Sequence, residues 1–581
     1  MNAIRLIWPW ARPHWHIAAA GSFASVVAVL INLSIPLLTA RIIDEGIATE
    51  DSATVVRTAL LMTGLIIAGM AASAVASVLG VRFAFHTITD LRADLYSHVQ
   101  HLSFGNLDRL TSGEILTRLT SDVTKVTALL SIGVSFFVQI PVSFIGALVA
   151  IVVIDVSLVP IVFVMVPMIG IFVWYVVLKS NVLYDAVQGR LDRLNTVLQE
   201  NIQGTEVIKA FVRQDHEVGR FDVAAGDLAD DATTVNQLVA VMFPTLILLS
   251  SLGIAAVLWI GGGNVIDGDL SEGDLVAFIQ FMAFIAMPMM FFAFLQPLLS
   301  AAGASMNRID EVTNQTADVV VADDGQDLPT TTGPLDIEFD DVSFHYRADT
   351  PLPDCVLRGI NLAIPGGTII AILGATGSGK SSLVNLIPRF YDASHGAVRV
   401  GGVDVRDLNK SSLRRNIGIA LQEPFLFSGS IADNLRFGRP DATDAEIIAA
   451  ATAAQAHDFI VAMDGGYEAV VEQGGANLSG GQRQRLAIAR TLVVDPKVLI
   501  FDDSTSAVDL ETEAKIQQVF DSLVDVTVIL VAQRISTALG ADFIVLLEDG
   551  EVAAQGTHEE LLLTSSIYQE IYRSQLGEPV S

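Results

Sequence analysis

At 581 residues the chain is too long for one hydrophobic core, so at least two domains are expected. Hydrophobic residues make up 51% of it and the mean hydropathy is +0.53, which places part of the chain in a membrane. A formal net charge of -30 argues against a basic face for nucleic acid, and the single cysteine, Cys355, excludes an internal disulfide and any Cys-based zinc site.

The opening "MNAIRLIWPWARPHWH" mixes basic and aromatic residues without an apolar h-region or a small-residue cleavage site. It reads as an interfacial segment, tryptophans at the headgroups and arginines in the cytoplasm. Six apolar runs follow, each near the roughly 20 residues that a bilayer requires. They cover 17–40, 59–81, 131–154, 157–178, 238–260 and 275–299. The connections "DEGIATEDSATVV" and "GGGNVIDGDLSEGD" carry no Lys or Arg, and the turn at Asp155 is almost without length. The alternate connections carry Arg82, Arg92, Arg109, Arg118 and Lys125, then Lys179, Arg190, Arg193, Lys209, Arg213 and Arg220. The positive-inside rule puts both termini and both long connections in the cytoplasm of a multi-pass protein of the cell (inner) membrane.

The long connections keep a helical pattern. A helix from Arg57 to Leu102 would run about 70 Å, over twice the hydrocarbon thickness. The spans are therefore expected to continue as cytoplasmic stalks. A transmembrane domain is expected over 1–310, an acidic, Thr- and Asp-rich linker over 311–334, and over 335–577 a soluble domain in which strands alternate with helices.

Within that last domain, "GATGSGKSS" follows the apolar run "TIIAIL" and opens a helix, fitting G-x-x-x-x-G-K-[ST] in its strand–loop–helix setting. Glycines let backbone N–H groups wrap phosphates at a helix start. Lys380 would reach the β- and γ-phosphates of ATP and Ser381 would ligate Mg²⁺. Gly374, Thr376, Gly377, Ser378, Gly379 and Ser382 complete the loop. About 120 residues later "KVLIF" ends in Asp502, the matching Mg²⁺-binding acid.

These motifs, with "LSGGQ" between them (Leu478, Ser479, Gly480, Gly481, Gln482) and "SAVD" after, resemble the nucleotide-binding domain of an ABC ATPase. With six preceding spans, nearly the whole chain resembles a half-transporter of the exporter-type fold. The expected fold class is therefore a helical membrane domain with long cytoplasmic extensions, fused to an α/β P-loop ABC ATPase domain. The resemblance implies further roles. Tyr346 would stack on adenine, and Gln422 would touch Mg²⁺ and the membrane domain. Glu472 in "VEQGG" would meet the stalks, and Asp509 closes a D-loop reading "SAVD" rather than "SALD". "FGNLDRLTSGEILTRLTSDV" and "LQENIQGTEVIKAFVRQDHE" resemble the two coupling regions. In this family the signature caps nucleotide on a partner's P-loop, so a second half-transporter chain is implied.

Two positions depart from the family pattern. Asp503 stands where Glu polarises the attacking water, and Gln533 stands where a histidine contacts the γ-phosphate. Losing a methylene withdraws the carboxylate by about 1 Å, enough to cost about 10²-fold in rate. Gln donates a hydrogen bond but cannot become a cation. The pair resembles the degenerate site of heterodimeric exporters; a homodimer with two slow sites is the alternative. The sixth span is rich in Phe and Met (Phe278, Phe281, Met282, Phe284, Met287, Met289, Met290), which fits either promiscuous apolar ligands or plain helix packing. Gln280 and Gln296 are candidate polar contacts and Pro288 a candidate kink. The cargo expected is a hydrophobic or amphipathic compound, with lipid, peptide or siderophore as alternatives. Spans two to six contain no Asp, Glu, Lys or Arg, so no ion pathway is implied.

Overall fold

A computed structural model describes residues 2–319, 325–329, 333–346, 355–504, 508–523 and 525–576, without the side chains at 2–4, 181, 286–290, 292–294, 296–297 and 510. The side chains of Met287, Pro288, Met289, Met290 and Gln296 thus lie outside the described residues. The chain divides into two compact units. One comprises Met1–Gln100 and Ser112–Gln315, the other His101–Thr111 and Thr316–Ser581.

The first unit is helical. Among the described residues, five of its helical stretches are long and apolar enough to cross a membrane: Arg5–Ile47, Ser52–His101, Ser112–Ile154, Val156–Gln203 and Gln214–Asp267. The sixth expected span falls inside the helix Glu272–Thr313. The expected stalk is one uninterrupted helix of 50 residues, Ser52–His101. Its two halves are buried differently. Gly80, Phe83, Ala84, Thr87, Ile88, Leu91, Leu95 and Val99 repeat at three- and four-residue steps along one buried stripe. Only Thr58, Gly69 and Ala76 are buried before them, as suits a helix whose apolar surface faces lipid and need not be covered.

Small residues set the helix spacing. A Cβ on Gly80 would lie 3.0 Å from the carbonyl oxygen of Ser131, and one on Gly253 would strike the Met165 sulfur. Turns close with polar caps. Asp155 accepts from the backbone and hydroxyl of Ser157, each at 2.8 Å, and Asn264 Nδ2 donates to Ser157 Oγ at 2.8 Å. Asp44 accepts from the Gly273 N–H at 2.8 Å and the Ser271 hydroxyl at 2.6 Å. Asp122, fully buried, takes the Arg308 guanidinium through both oxygens and the Ser305 hydroxyl at 2.8 Å. No motif pointed to that pair, since its members lie 186 residues apart.

The second unit carries a six-stranded sheet in the order Glu551–Gly556, Phe543–Glu548, Ile369–Leu373, Thr527–Ala532, Val498–Asp502, Ile417–Ala420. All neighbours in it pair in parallel except the first two strands, which are antiparallel. The central strands "IIAIL", "VLIFD" and "TVILVA" are apolar throughout because helices cover both faces of a parallel sheet. A four-stranded antiparallel sheet, Leu357–Ile364, Ile337–Phe344, His395–Val400 and Val403–Asp404, packs its inner face into the same core.

The stretch expected as linker is not uniformly one. The preceding helix runs on to Thr313. Further along, the Gln326 N–H donates to the Asp407 carbonyl at 3.0 Å, and Leu328 is buried in the core of the second unit. Burial of Leu328 and the backbone hydrogen bonds of Gln326 and Leu328 together anchor it. The segment His101–Thr111 packs with this unit too. Phe104 stacks on Phe390 at 4.4 Å between centroids, Tyr391 donates its hydroxyl to Asp108 at 2.7 Å, and Arg109 grips both oxygens of Asp318 at 2.8 and 2.9 Å.

Candidate active site

The strand Ile369–Leu373 delivers the chain into the glycine-rich loop, and Lys380 starts the helix beyond it. Gly377 and Gly379 take φ of +87° and +97°, in the left-handed region that L side chains avoid. Gly374 passes so near its surroundings that a Cβ there would sit 2.3 Å from the carbonyl oxygen of Leu547. The loop can therefore be built only with glycine at these points. Its hydroxyl Ser378 Oγ is buried with no hydrogen-bond partner among the described residues, the kind of group a phosphate oxygen satisfies. Lys380 is 7% exposed and donates to the carbonyls of Gly374 and Ala375 at 2.9 and 2.8 Å. Burial depresses its pKa, against the raising effect of Asp502 and Asp503.

Across the sheet, Ser381 Oγ donates to Asp502 Oδ1 at 3.0 Å. Asp502 is 5% exposed, and burial raises its carboxyl above the ordinary range while Ser381 and Lys380 pull it back. One hydroxyl and one carboxylate suit Mg²⁺, which keeps several waters and takes its other ligands from substrate phosphates. No cluster of three or more His, Cys, Asp or Glu able to hold a metal by itself occurs among the described residues.

Asp503 follows immediately, with φ of +47°, an uncommon backbone for a residue other than glycine, held by its N–H on the Val531 carbonyl at 3.0 Å. Its Oδ2 accepts from Gln533 Nε2 at 3.1 Å, so the two departures from the family pattern meet each other. Burial and then the neighbouring Asp502 raise its pKa.

Gln533 is itself supported. Gln575, on the helix Ser566–Leu576, donates to the Gln533 carbonyl at 2.9 Å and accepts from the Ile535 N–H at 2.8 Å. From the other side, Gln517 donates to the Thr537 carbonyl at 2.6 Å, and the Thr537 hydroxyl to buried Glu513 at 2.7 Å. Sequence reasoning missed Gln575, Gln517 and Glu513; "ETEAKIQ" and the terminal "SQL" carry no signal except polar residues on otherwise amphipathic helices.

Tyr346 lies beside the loop, its hydroxyl 2.8 Å from Ser382 Oγ and its ring edge-on to Tyr391 at 5.2 Å. Gln422 and Glu472 are exposed. Asp509 caps the helix Leu510–Asp521 through Thr512, while three residues of its loop, 505–507, lie outside the described residues. Ser479 is the exposed cap of the helix Gly480–Val493, bonded reciprocally with Gln482, with Leu478 buried behind it. Among the described residues no hydrogen bond joins Leu478, Ser479, Gly480, Gly481 or Gln482 to the loop 374–382. The structure thus brings Lys380, Ser381, Asp502, Asp503 and Gln533 together, and leaves the signature apart from that group.

Comparison with known proteins bears on the family and the fold. Residues 19–289 match the model of the ABC transporter transmembrane region, and 357–506 that of the ABC transporter. The "Uncharacterized ABC transporter ATP-binding protein YfiB" of Bacillus subtilis (strain 168) is 37% identical over 566 residues, spanning 97% of each chain. The chain belongs to the ABC transporter family. Another relative of this ABC transporter, the "Putative multidrug export ATP-binding/permease protein YgaD" of Bacillus subtilis (strain 168), is 36% identical, covering 85% of this chain and 84% of that one. The fold matches a bacterial Atm1-family ABC exporter solved with ATP bound, with a TM-score of 0.81, 24% identity, and coverage of 97% and 99%.

Proposed function

We propose that this chain is one half of a heterodimeric ABC exporter moving hydrophobic or amphipathic compounds out of the cell, and that its own P-loop site holds MgATP but splits it slowly. Six spans would cross the cell membrane, with both termini and the ATPase domain in the cytoplasm. The observation that carries the reading is the Asp503–Gln533 hydrogen bond at 3.1 Å. A carboxylate one methylene short, occupied by an amide that cannot carry charge, is poorly placed to polarise a water.

ATP binding would draw Lys380 off the carbonyls of Gly374 and Ala375 and onto phosphate oxygens. Mg²⁺, when bound, neutralises phosphate charge, and Ser381, Asp502 and Gln422 are the residues to hold it. Tyr346 would turn from Tyr391 toward the adenine. Ser479 and the glycines after it would close over the partner's nucleotide, presenting N–H groups at a helix start. Glu472, Asp509 and the segment His101–Thr111 would pass closure to the stalks. The relative named "Putative multidrug export ATP-binding/permease protein YgaD" supports the export part of this reading.

The test is ATPase activity of the chain purified alone and together with a second half-transporter. Slow turnover alone and rapid turnover in the pair is the expected result. Brisk hydrolysis by the isolated chain overturns the reading.

A further inference from the structure

No Asp or Glu precedes Asp44 in a chain whose net charge is -30. In that stretch the helix Asn2–Ala11 passes through a short turn, Arg12–His14, into the helix Trp15–Arg41. Its two faces differ. Inward, Ile7 and Ala11 are buried, and the side chains of Trp10 and His14 are fastened to the stalk Ser52–His101. Trp10 Nε1 donates to Asp94 at 3.1 Å, His14 Nε2 meets Asp90 at 2.8 Å, and the His14 ring stacks on that of His86 with centroids 5.3 Å apart. His86, Asp90 and Asp94 follow at four-residue steps, so the N-terminal segment lies along one face of the stalk.

Outward, Arg5, Trp8, Arg12 and Trp15 follow at steps of three, four and three residues, the spacing of one helical face. All four are exposed, Trp8 at 54% and Trp15 at 62%. Among the described residues neither arginine has a hydrogen bond or an ion pair. The carboxylates that meet this segment, Asp90 and Asp94, are taken up on its other face. The stripe thus alternates guanidinium and indole just before the span expected from residue 17, at the level of lipid headgroups. Indoles settle there because one end is apolar and the other wet. A guanidinium fork matches phosphate oxygens in pairs.

We infer that the stripe of Arg5, Trp8, Arg12 and Trp15 binds anionic phospholipid headgroups and selects them over zwitterionic ones. Each guanidinium would take phosphate oxygens while the indoles lie at the boundary with the acyl chains. A zwitterionic headgroup carries its own cation and leaves little net attraction. Because contacts with the stalk fix the segment before a lipid arrives, little ordering cost opposes binding. This binding needs neither a partner chain nor transport, and a nanodisc opens both leaflets to it, so it stands apart from the exporter reading.

The test uses the full chain in nanodiscs. Trp174→Phe and Trp259→Phe leave Trp8, Trp10 and Trp15 as reporters. Brominated phosphatidylglycerol or brominated phosphatidylcholine is titrated into unlabelled phosphatidylcholine, and tryptophan quenching gives the relative affinity of the two lipids. At low salt the anionic lipid is expected to be preferred at least about tenfold. Arg5→Gln and Arg12→Gln should each lower that preference about fivefold, and the two together should abolish it. Salt of about 0.5 M should also remove most of it, by screening. Equal quenching by the two lipids, a preference undiminished in the double variant, or one that persists in high salt each overturns the assignment. The salt comparison keeps both arginines, so it decides even where a variant does not fold.

Discussion

Gln533 donates its Nε2–H to the Asp503 carboxylate at 3.1 Å, from the end of one parallel strand to the end of its neighbour, where Val531 registers with Asp502. In this arrangement the carboxylate that follows Asp502 is already held by a neutral amide. Restoring the missing methylene and a chargeable ring should free it. Asp503→Glu with Gln533→His is expected to raise the ATPase rate of the chain at least about tenfold, approaching the about 10²-fold that a 1 Å misplacement costs. Single-turnover hydrolysis measures it directly, and an unchanged rate would show that the short carboxylate is not what limits this site.

Asp503 also bears on stability. Burial, with Asp502 behind it, holds its carboxyl above the ordinary value of 3.8, while Lys380 and Arg534 pull in the opposite direction. A group whose pKa rises on folding contributes most below its unfolded value, and that contribution is lost as pH climbs through the raised one. At neutral pH the ionised Asp503 therefore weighs against the fold. Asp503→Asn keeps an oxygen for Gln533 and tolerates the left-handed backbone. The variant should melt above the parent at pH 7.5, with the gap closing toward pH 4; melting curves at the two pH values decide it.

Much of this site is legible in the chain because its parts are contiguous. A glycine loop between a strand and a helix, or an apolar strand ending in Asp502, declares itself by local spacing. The stalk Ser52–His101 is equally plain, since helical periodicity simply continues past the length of a bilayer. What stays hidden is anything made by residues distant in sequence and common in type. Asp122 and Arg308 meet over 186 positions, and Gln575 reaches back 42 to Gln533. The anchoring of Leu328 was hidden for another reason: acidic composition outweighed one apolar side chain. The left-handed φ of Asp503 follows from strand geometry that no residue type announces.

Gln575 uses both ends of its amide on the backbone around Gln533, at 2.9 and 2.8 Å. It touches no reacting group and acts by positioning. Gln575→Ala should leave the KM for ATP within about twofold. It should also remove most of the gain produced by Asp503→Glu with Gln533→His, because a ring on a loosened loop is no longer aimed. A double-mutant cycle on ATPase rates exposes that dependence as non-additivity. Strictly additive effects would mean that the clamp merely stabilises the domain, and Gln575→Glu, which retains only the acceptor for Ile535, should recover part of the coupling.

Tyr391 and Asp108 supply the last test, since they join the P-loop domain to a segment that continues in the chain into the stalk. The hydroxyl donates to the carboxylate at 2.7 Å, and Phe104 stacks on Phe390 beside it. Burial and the nearby Asp108 both hold the Tyr391 proton on, so the bond persists across the physiological range. A partly exposed hydrogen bond to a carboxylate contributes about 1 kcal/mol, or about fivefold in an equilibrium. Tyr391→Phe should therefore leave basal ATP hydrolysis close to that of the parent, because the aromatic packing survives. The same change should cut the stimulation of hydrolysis by transported compound about fivefold. Stimulation ratios in nanodiscs, compared with those of Asp108→Ala, test it: both substitutions must weaken coupling to a similar degree, since each removes the same bond. A loss confined to basal turnover would place the pair in nucleotide binding instead.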